Sequence, residues 1–179
     1  MKPPTSYEDV IAEVFETEGG YVNSKTDRGG ATNLGLTIGT MKALKMDLDG
    51  DGDVDIDDVK ILTKEDAMPA YYDEFWVRGR VDRCPPLLRY LHFDSCVHHS
   101  PYRAIKILQK AYNHMRTTNR IKVDGRFGSR TEKAVSKLKL NVLIYYRIKY
   151  ICDIVRNDSS QDANFTGWMN RITSFLKYI

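Results

Sequence analysis

Residues 15–37 read FETEGGYVNSKTDRGGATNLGLT, a glycine-rich polar stretch that stops a helix and carries two carboxylates nine positions apart, Glu18 and Asp27. Upstream, Tyr7, Val10, Ile11, Val14 and Phe15 share one helical face, and Ser6 with Asp9 forms an approximate capping box at its start. Glu18 follows Phe15 by three residues, Val14 by four and Ile11 by seven, so it projects from the apolar face. A carboxyl there is partly desolvated and lies near the negative end of the helix dipole. Both effects disfavour its ionised form and predict a raised pKa, which suits a general acid near neutral pH. Gly19 and Gly20 then end the helix and leave open space beside the carboxyl. Asp27 sits in the polar turn DRGGAT, where a carboxylate stays ionised. Two carboxyls in contrasting environments are the arrangement that hydrolyses a glycosidic bond. Taken singly, a helix-terminal Glu is also a common surface residue, and an Asp before Gly-Gly a common turn former.

Outward from this stretch the chain is mostly α-helical. Leu140, Ile144, Ile148, Ile151 and Val155 form one apolar stripe, and Phe165, Trp168, Ile172, Phe175 and Ile179 another. Further helices are expected near 39–46, 56–62, 64–77, 86–98, 101–116 and 129–138, with at most a short β-hairpin near 31–38 after the Gly29-Gly30 turn. No internal repeat is visible. The 179 residues, 42% of them hydrophobic, suffice for a packed core. The longest apolar or aromatic run, Val142 to Tyr146, is far short of the roughly 20 residues that span a bilayer. The N-terminus MKPPTSYED lacks the apolar core of a secretory signal. Stable membrane insertion and signal-directed export are therefore not expected.

Three cysteines, Cys84, Cys96 and Cys152, form no CxxC and read as reduced and buried. Cys96, His98 and His99 in the run CVHH fan around a helix rather than converge on one ion, so they read as a structural helix end. Charge is unevenly distributed. Residues 1–80 hold 9 Lys and Arg against 17 Asp and Glu, net −8, whereas residues 81–179 hold 18 against 7, net +11. A basic half attracts anionic polymers. With no nucleic-acid motif and no basic run interleaved with aromatics, nucleic acid is not the expected partner.

The most stringent spacing is DLDGDGDVDIDD, Asp47 to Asp58. Counting Asp47 as position 1, carboxylates fall at 1, 3, 5, 9 and 12 (Asp47, Asp49, Asp51, Asp55 and Asp58), with Gly52 at 6 and Val54 at 8. That is the EF-hand order of hard oxygen ligands around Ca²⁺, in which Asp53 at position 7 gives its backbone carbonyl. Seven aspartates in twelve residues repel one another without a cation. Position 12 is Asp rather than Glu, and the shorter arm makes bidentate coordination harder. The loop resembles dockerin and bacterial EF-hand variants, where Asp there is ordinary. One structural Ca²⁺ stapling its two flanking helices is expected, against the alternative of a solvated acidic loop. A lone hand points to stability rather than sensing.

EGGYVNSKTDRGGATNLGLT resembles the opening motif of the phage and bacterial muramidases of glycoside hydrolase family 108, which read E-G-G-Y, D-x-G-G-x-T and a G-I-T-like end. The resemblance implies a lysozyme-like helical fold and makes Glu18 the catalytic acid. By similarity to phage-type lysozymes it also implies Asp27 for the attacking water. For the assisting Thr, Thr32 and Thr37 both match family positions, while strict phage-lysozyme spacing gives Asn33; Thr32 is the residue carried over. Farther on, LHFDSCVHHSPYRAIKILQKAYN and VDGRFGSRTEKAV resemble the predicted peptidoglycan-binding region that accompanies this family, with its A-x-x-x-L-Q helix and D-G-x-x-G-x-x-T turn. His98 stands near where the family often has Asn. In DGRFGSRT, Asp124 to Gly128 reads as a loop and Ser129 as the N-cap of the next helix.

The expected organisation is a catalytic lobe at 1–80 with the acidic insertion at 47–58, and a helical peptidoglycan-binding lobe at 81–179, packed as one globule. The resemblance implies a monomeric endolysin-like muramidase with bacterial peptidoglycan as its partner. It would be made in the cytoplasm and reach the cell wall by holin-type or dedicated release. A lytic transglycosylase acting on the same bond and a noncatalytic calcium-dependent wall-binding module are the rival readings.

Overall fold

The structure, a computed structural model, describes residues 2–17, 19–23 and 30–179. It is mostly helical, with one two-stranded sheet among the described residues. The chain divides into two compact units, Ile11–Asp73 and Met1–Val10 with Glu74–Ile179.

The helix α1 (Tyr7–Thr17) opens as its capping box predicts. Ser6 Oγ donates to Asp9 Oδ2 at 2.7 Å and accepts from the Asp9 amide at 3.2 Å. Its apolar positions Val10, Ile11, Val14 and Phe15 are buried. In the Ile11–Asp73 unit, strands β1 (Thr32–Asn33) and β2 (Leu36–Thr37) pair antiparallel through a two-residue turn. Leu34 (φ 47°) and Gly35 (φ 76°) both take the left-handed conformation that a type I′ hairpin turn requires. Tyr71 Oη donates to the Leu34 carbonyl at 2.6 Å and pins the turn. The helices α2 (Ile38–Leu44) and α3 (Ile56–Ile61) flank the acidic loop, and α4 (Lys64–Tyr71) follows. The buried Asn33 donates to the carbonyls of Val59 (2.8 Å) and Leu62 (3.4 Å), satisfying acceptors that the end of α3 leaves free.

The expected single helix over 64–77 is instead α4 continued by a π-helical turn, Tyr72–Val77. Pro69 lies inside α4, where it has no amide to donate to the preceding turn. Of the aromatics here, Tyr71 and Trp76 are core, while Tyr72 is exposed.

The second unit is a helical bundle of α5 (Pro86–His99), α6 (Pro101–His114), α7 (Ser129–Val135), α8 (Leu140–Asn157) and α9 (Asp162–Thr173). The helix α6 packs against α5, α7 and α8, and α8 packs against α9. The last apolar stripe therefore starts in α9 but finishes in a 3₁₀ segment, Ser174–Tyr178, rather than one continuous helix. Tyr7, Trp76 and Phe93 form an edge-on aromatic cluster with ring centroids 5.4–6.0 Å apart. Gly79 lets the backbone pass close to α5: a Cβ there would lie 2.6 Å from Cys96 Sγ. Cys84 and Cys96 are buried thiols as expected, but Cys152 is exposed, because its position on α8 falls off the stripe of Leu143, Ile144, Arg147 and Ile151.

At the bundle's centre Asp94 from α5 is 2% exposed and meets two guanidiniums, Arg147 of α8 and Arg171 of α9. Burial alone raises the Asp94 carboxyl; the two arginines more than reverse this and hold it at about 2. His98 and His99 are packed as rings at the end of α5. Their rings stack at 4.2 Å, edge-on to Trp168 and Tyr150, and Arg147 Nη2 donates to His98 Nδ1 at 3.3 Å, fixing His98 as a neutral acceptor.

Gln109 organises the turn before α7. Its buried amide donates to Asp124 Oδ1, the Arg126 carbonyl and Thr131 Oγ1 (each 3.1 Å) and accepts from the amides of Asp124 (3.0 Å) and Gly125 (2.9 Å). Gly125 (φ 72°) is obligatory, since a Cβ would lie 2.4 Å from the Tyr102 ring. Ser129 is not the N-cap expected of it. Gly128 occupies the cap with no side-chain bond, and Asp124 instead accepts the Arg126 amide at 3.0 Å within the turn. The A-x-x-x-L-Q and D-G-x-x-G-x-x-T segments are thus one hydrogen-bonded clip.

Candidate functional site

Glu18 and Asp27, the two carboxyls singled out in the sequence, lie outside the described residues. What flanks them is defined. The apolar face of α1 runs into Phe15, whose ring meets Tyr71 edge-on at 5.2 Å. Gly19 and Gly20 have nothing within 4 Å of where a Cβ would be, so the backbone after α1 is open. Val22 forms an antiparallel bridge to Thr32, with each amide donating to the other's carbonyl at 2.8 Å. This bridge ties together the two ends of the chain segment that contains Asp27, and places Thr32 at its closing point. Tyr21 and Val22 are exposed beside it.

The three candidates for the assisting side chain have different partners. Thr37 caps α2: its Oγ accepts from the Thr40 amide at 3.2 Å and lies 3.1 Å from Thr40 Oγ. Asn33 is buried, with its amide spent on α3 and the residue after it. Thr32 is half-buried, and among the described residues its hydroxyl donates to the Gly30 carbonyl at 3.3 Å.

The acidic loop closes on itself through its own amides. Asp47 accepts from Gly50 (2.7 Å) and Gly52 (3.1 Å), Asp49 from Asp51 (3.2 Å), and Asp51 from Asp53 (3.0 Å). Gly50 and Gly52 take φ of 77° and 99°, so Gly52 occupies the sharp-turn position as spaced. Asp58, at the start of α3, is 1% exposed and accepts from Leu48 (2.6 Å), Asp49 (3.3 Å) and Asp55 (2.7 Å). Those backbone bonds hold its carboxyl below the usual range. Carboxylate oxygens of Asp47, Asp49 and Asp58 lie within 4.8 Å of one another, as do those of Asp53, Asp55 and Asp58. Asp58 is common to both sets; Asp51 belongs to neither. Asp51, Asp55 and Asp58 all push the Asp53 carboxyl up, the effect of crowded like charges. Only oxygen donors are gathered here, which suits a hard divalent cation.

Two family models match consecutive parts of the chain. Residues 11–99 match Glycosyl hydrolase 108, and residues 103–173 match the Predicted Peptidoglycan domain. The chain is a peptidoglycan hydrolase. Its structure is similar to that of Brucella abortus SagA, at 28% identity and a TM-score of 0.77, over 94% of this chain and 90% of that one. A comparison with curated proteins gives no significant match. The hydrolase keeps the mostly α, lysozyme-like fold expected from its sequence. No helix among its described residues is long and apolar enough to cross a membrane. The first match contains Glu18, Asp27, Thr32 and the whole acidic loop. The second contains the Gln109 clip, a structural role that sequence reading missed although both halves of its motif were visible.

Proposed function

We propose that this peptidoglycan hydrolase is an N-acetylmuramidase that cleaves the β-1,4 bond from N-acetylmuramic acid to N-acetylglucosamine. The observation that carries this reading is the Glycosyl hydrolase 108 match over the segment that holds both carboxyls. Glu18 protonates the leaving oxygen, and Asp27 positions or activates water or stabilises the positive charge developing on the sugar. The lobe up to about residue 80 carries the cleavage, and the basic lobe beyond it holds the anionic wall. The chain works as a monomer and reaches the wall by a holin-type release.

Thr32 is the third member of the site. Its support is occupancy among the described residues: the Thr37 hydroxyl caps α2 and the Asn33 amide nitrogen is bonded to α3 and Leu62, whereas the Thr32 hydroxyl bonds only the Gly30 carbonyl. Thr32→Val is expected to slow lysis of outer-membrane-permeabilised cells by roughly tenfold or more, with thermal stability kept. Thr37→Val is expected to lose about 1 kcal/mol of stability through the missing cap, with lysis largely retained. The opposite pattern in turbidity and melting assays moves the role to Thr37.

The loop from Asp47 to Asp58 holds one structural Ca²⁺. Asp47, Asp49 and Asp58, with Asp53 and Asp55 beside them, would hold the ion, whose contribution is to neutralise the converging carboxylates and staple α2 to α3. Calorimetry on chelator-stripped protein is expected to give one-site Ca²⁺ binding and a higher melting temperature. Neither heat nor a melting shift means the loop is only a solvated acidic turn.

A further inference from the structure

The cationic surface of the C-terminal bundle is not evenly spread. Beside the Gln109 clip, a hollow of about 420 Å³ is lined by Arg120, Lys122, Arg126 and Arg130, and a neighbouring one of about 380 Å³ by Arg116, Arg130 and Lys133. Ile121 and Arg130 line both, so the two form one continuous trough. Its only carboxylate is Asp124, already accepting from the Arg126 amide and Gln109. With Lys137, which also lines the second hollow, the lining cations number seven, and none makes a salt bridge among the described residues, although Arg83 is paired with Glu132.

The trough is also prebuilt. Asn113 grips Ile121 through both its amide and its carbonyl at 2.8 Å, and Gln109 fixes 124–131, so the loop bearing Arg120, Lys122 and Arg126 hangs from two side chains of α6. Arg116 lies 5.3 Å over the Tyr112 ring, and its buried Nε has no hydrogen-bond partner among the described residues. Arg120 Nε donates to the Arg116 carbonyl at 3.2 Å, but no trough cation has a carboxylate partner among the described residues, and a fixed concave row of such groups, with an unmet donor in its wall, is complementary to a polymer bearing repeated anionic groups.

We propose that this trough binds the carboxylates of peptidoglycan stem peptides, so that the C-terminal lobe grips the peptide side of the wall rather than its sugar backbone. The proposal rests on the reading of the chain as a peptidoglycan hydrolase, which supplies the polymer. Charge selects the carboxylates: the trough is lined by cations and has no exposed aromatic platform for a sugar face.

The test is co-sedimentation of the full chain carrying Glu18→Gln with purified sacculi, binding being read on the pellet. Three substrates are compared: untreated sacculi, sacculi whose carboxyls have been amidated, and sacculi stripped of stem peptides by an amidase. Arg126→Glu with Arg130→Glu, both exposed side chains, is expected to weaken binding to untreated sacculi about tenfold or more, while the corresponding Lys pair retains it. Amidated and stripped sacculi should bind the unsubstituted trough as weakly as untreated sacculi bind the Glu pair. Unchanged binding by a Glu pair that melts like its parent overturns the proposal. So does equal binding to amidated or stripped sacculi, or displacement by inorganic polyphosphate at lower concentration than by soluble stem peptide, which would make a phosphate polymer the occupant. Soluble fragments released by the Glu18→Gln chain contradict the assignment of Glu18 alone, because trough binding is scored separately on the pellet.

Discussion

Glu18→Gln is expected to reduce peptidoglycan cleavage by about a hundredfold to ten-thousandfold, the range set by loss of a positioned general acid. Gln keeps the size of the side chain and can donate a hydrogen bond, but it has no proton to give to the leaving oxygen. Glu18 is singled out by its place in the chain. It follows by one residue the end of a helix whose face of Val10, Ile11, Val14 and Phe15 is buried, and the two glycines after it leave the backbone open. By sequence spacing Glu18 is expected to continue that face, a placement that would favour the protonated acid. Gln is isosteric with Glu, so the melting temperature is expected to stay within a few degrees of wild type. Lysis of permeabilised cells checks the first part and thermal unfolding the second. A variant that lyses at the wild-type rate removes Glu18 from the mechanism.

The second large effect is structural. Arg147→Ala is expected to cost about 3–5 kcal/mol in urea unfolding, because it strips a buried carboxylate of one of its two counter-ions. Arg147 is fully buried and contacts Asp94, His98 and the face of Phe175, at 6.0 Å from the ring centroid, so its removal disturbs α5, α8 and the 3₁₀ segment after α9 together. A cost below about 1 kcal/mol would mean that Arg171 alone neutralises Asp94.

The same hub makes the fold acid-sensitive. Burial lowers His92 to about 4, against the opposing hydrogen bond in which its Nε2 donates to the Gly79 carbonyl at 2.8 Å. Burial likewise lowers His98 to about 4, helped by Arg147, and His99 to about 2. Each folded value lies below the unfolded 6.5, so the unfolded chain binds more protons as pH falls. Stability is complete above about pH 6.5 and is lost on the way down through pH 4, by on the order of 3 kcal/mol for His92 alone. Asp94 adds to the loss only below its unfolded 3.8, as pH approaches 2. Urea midpoints between pH 7 and 4 therefore fall steadily.

Much of this was legible in the sequence because it is local and periodic. The stripes on α1 and α8, the Ser6–Asp9 box and the spacing of the acidic loop all depend on residues a turn or two apart. Three features escaped for the opposite reason. Asp94, Arg147 and Arg171 are brought together only by packing of α5, α8 and α9, and nothing in a helical stripe reveals that its buried face holds an ion pair. Asn33 is spent on α3, a contact 26 residues away, so spacing alone did not separate it from Thr32 and Thr37 as a candidate for the site. The widened turn after α4 keeps the same residues helical with a different hydrogen-bond spacing, which the apolar periodicity over 64–77 does not distinguish. At the candidate site, type and spacing offered Glu18 and Asp27, which lie outside the described residues, and the described hydrogen bonds give Thr32, Asn33 and Thr37 different partners.

The most direct test of cleavage by hydrolysis at the muramic acid bond is mass spectrometry of peptidoglycan digested by the wild-type chain and by Glu18→Gln. Fragments ending in reducing N-acetylmuramic acid from the wild type, and almost none from the variant, are the predicted result. Anhydro-muramic ends, reducing N-acetylglucosamine ends, or the same fragments from both proteins would contradict it.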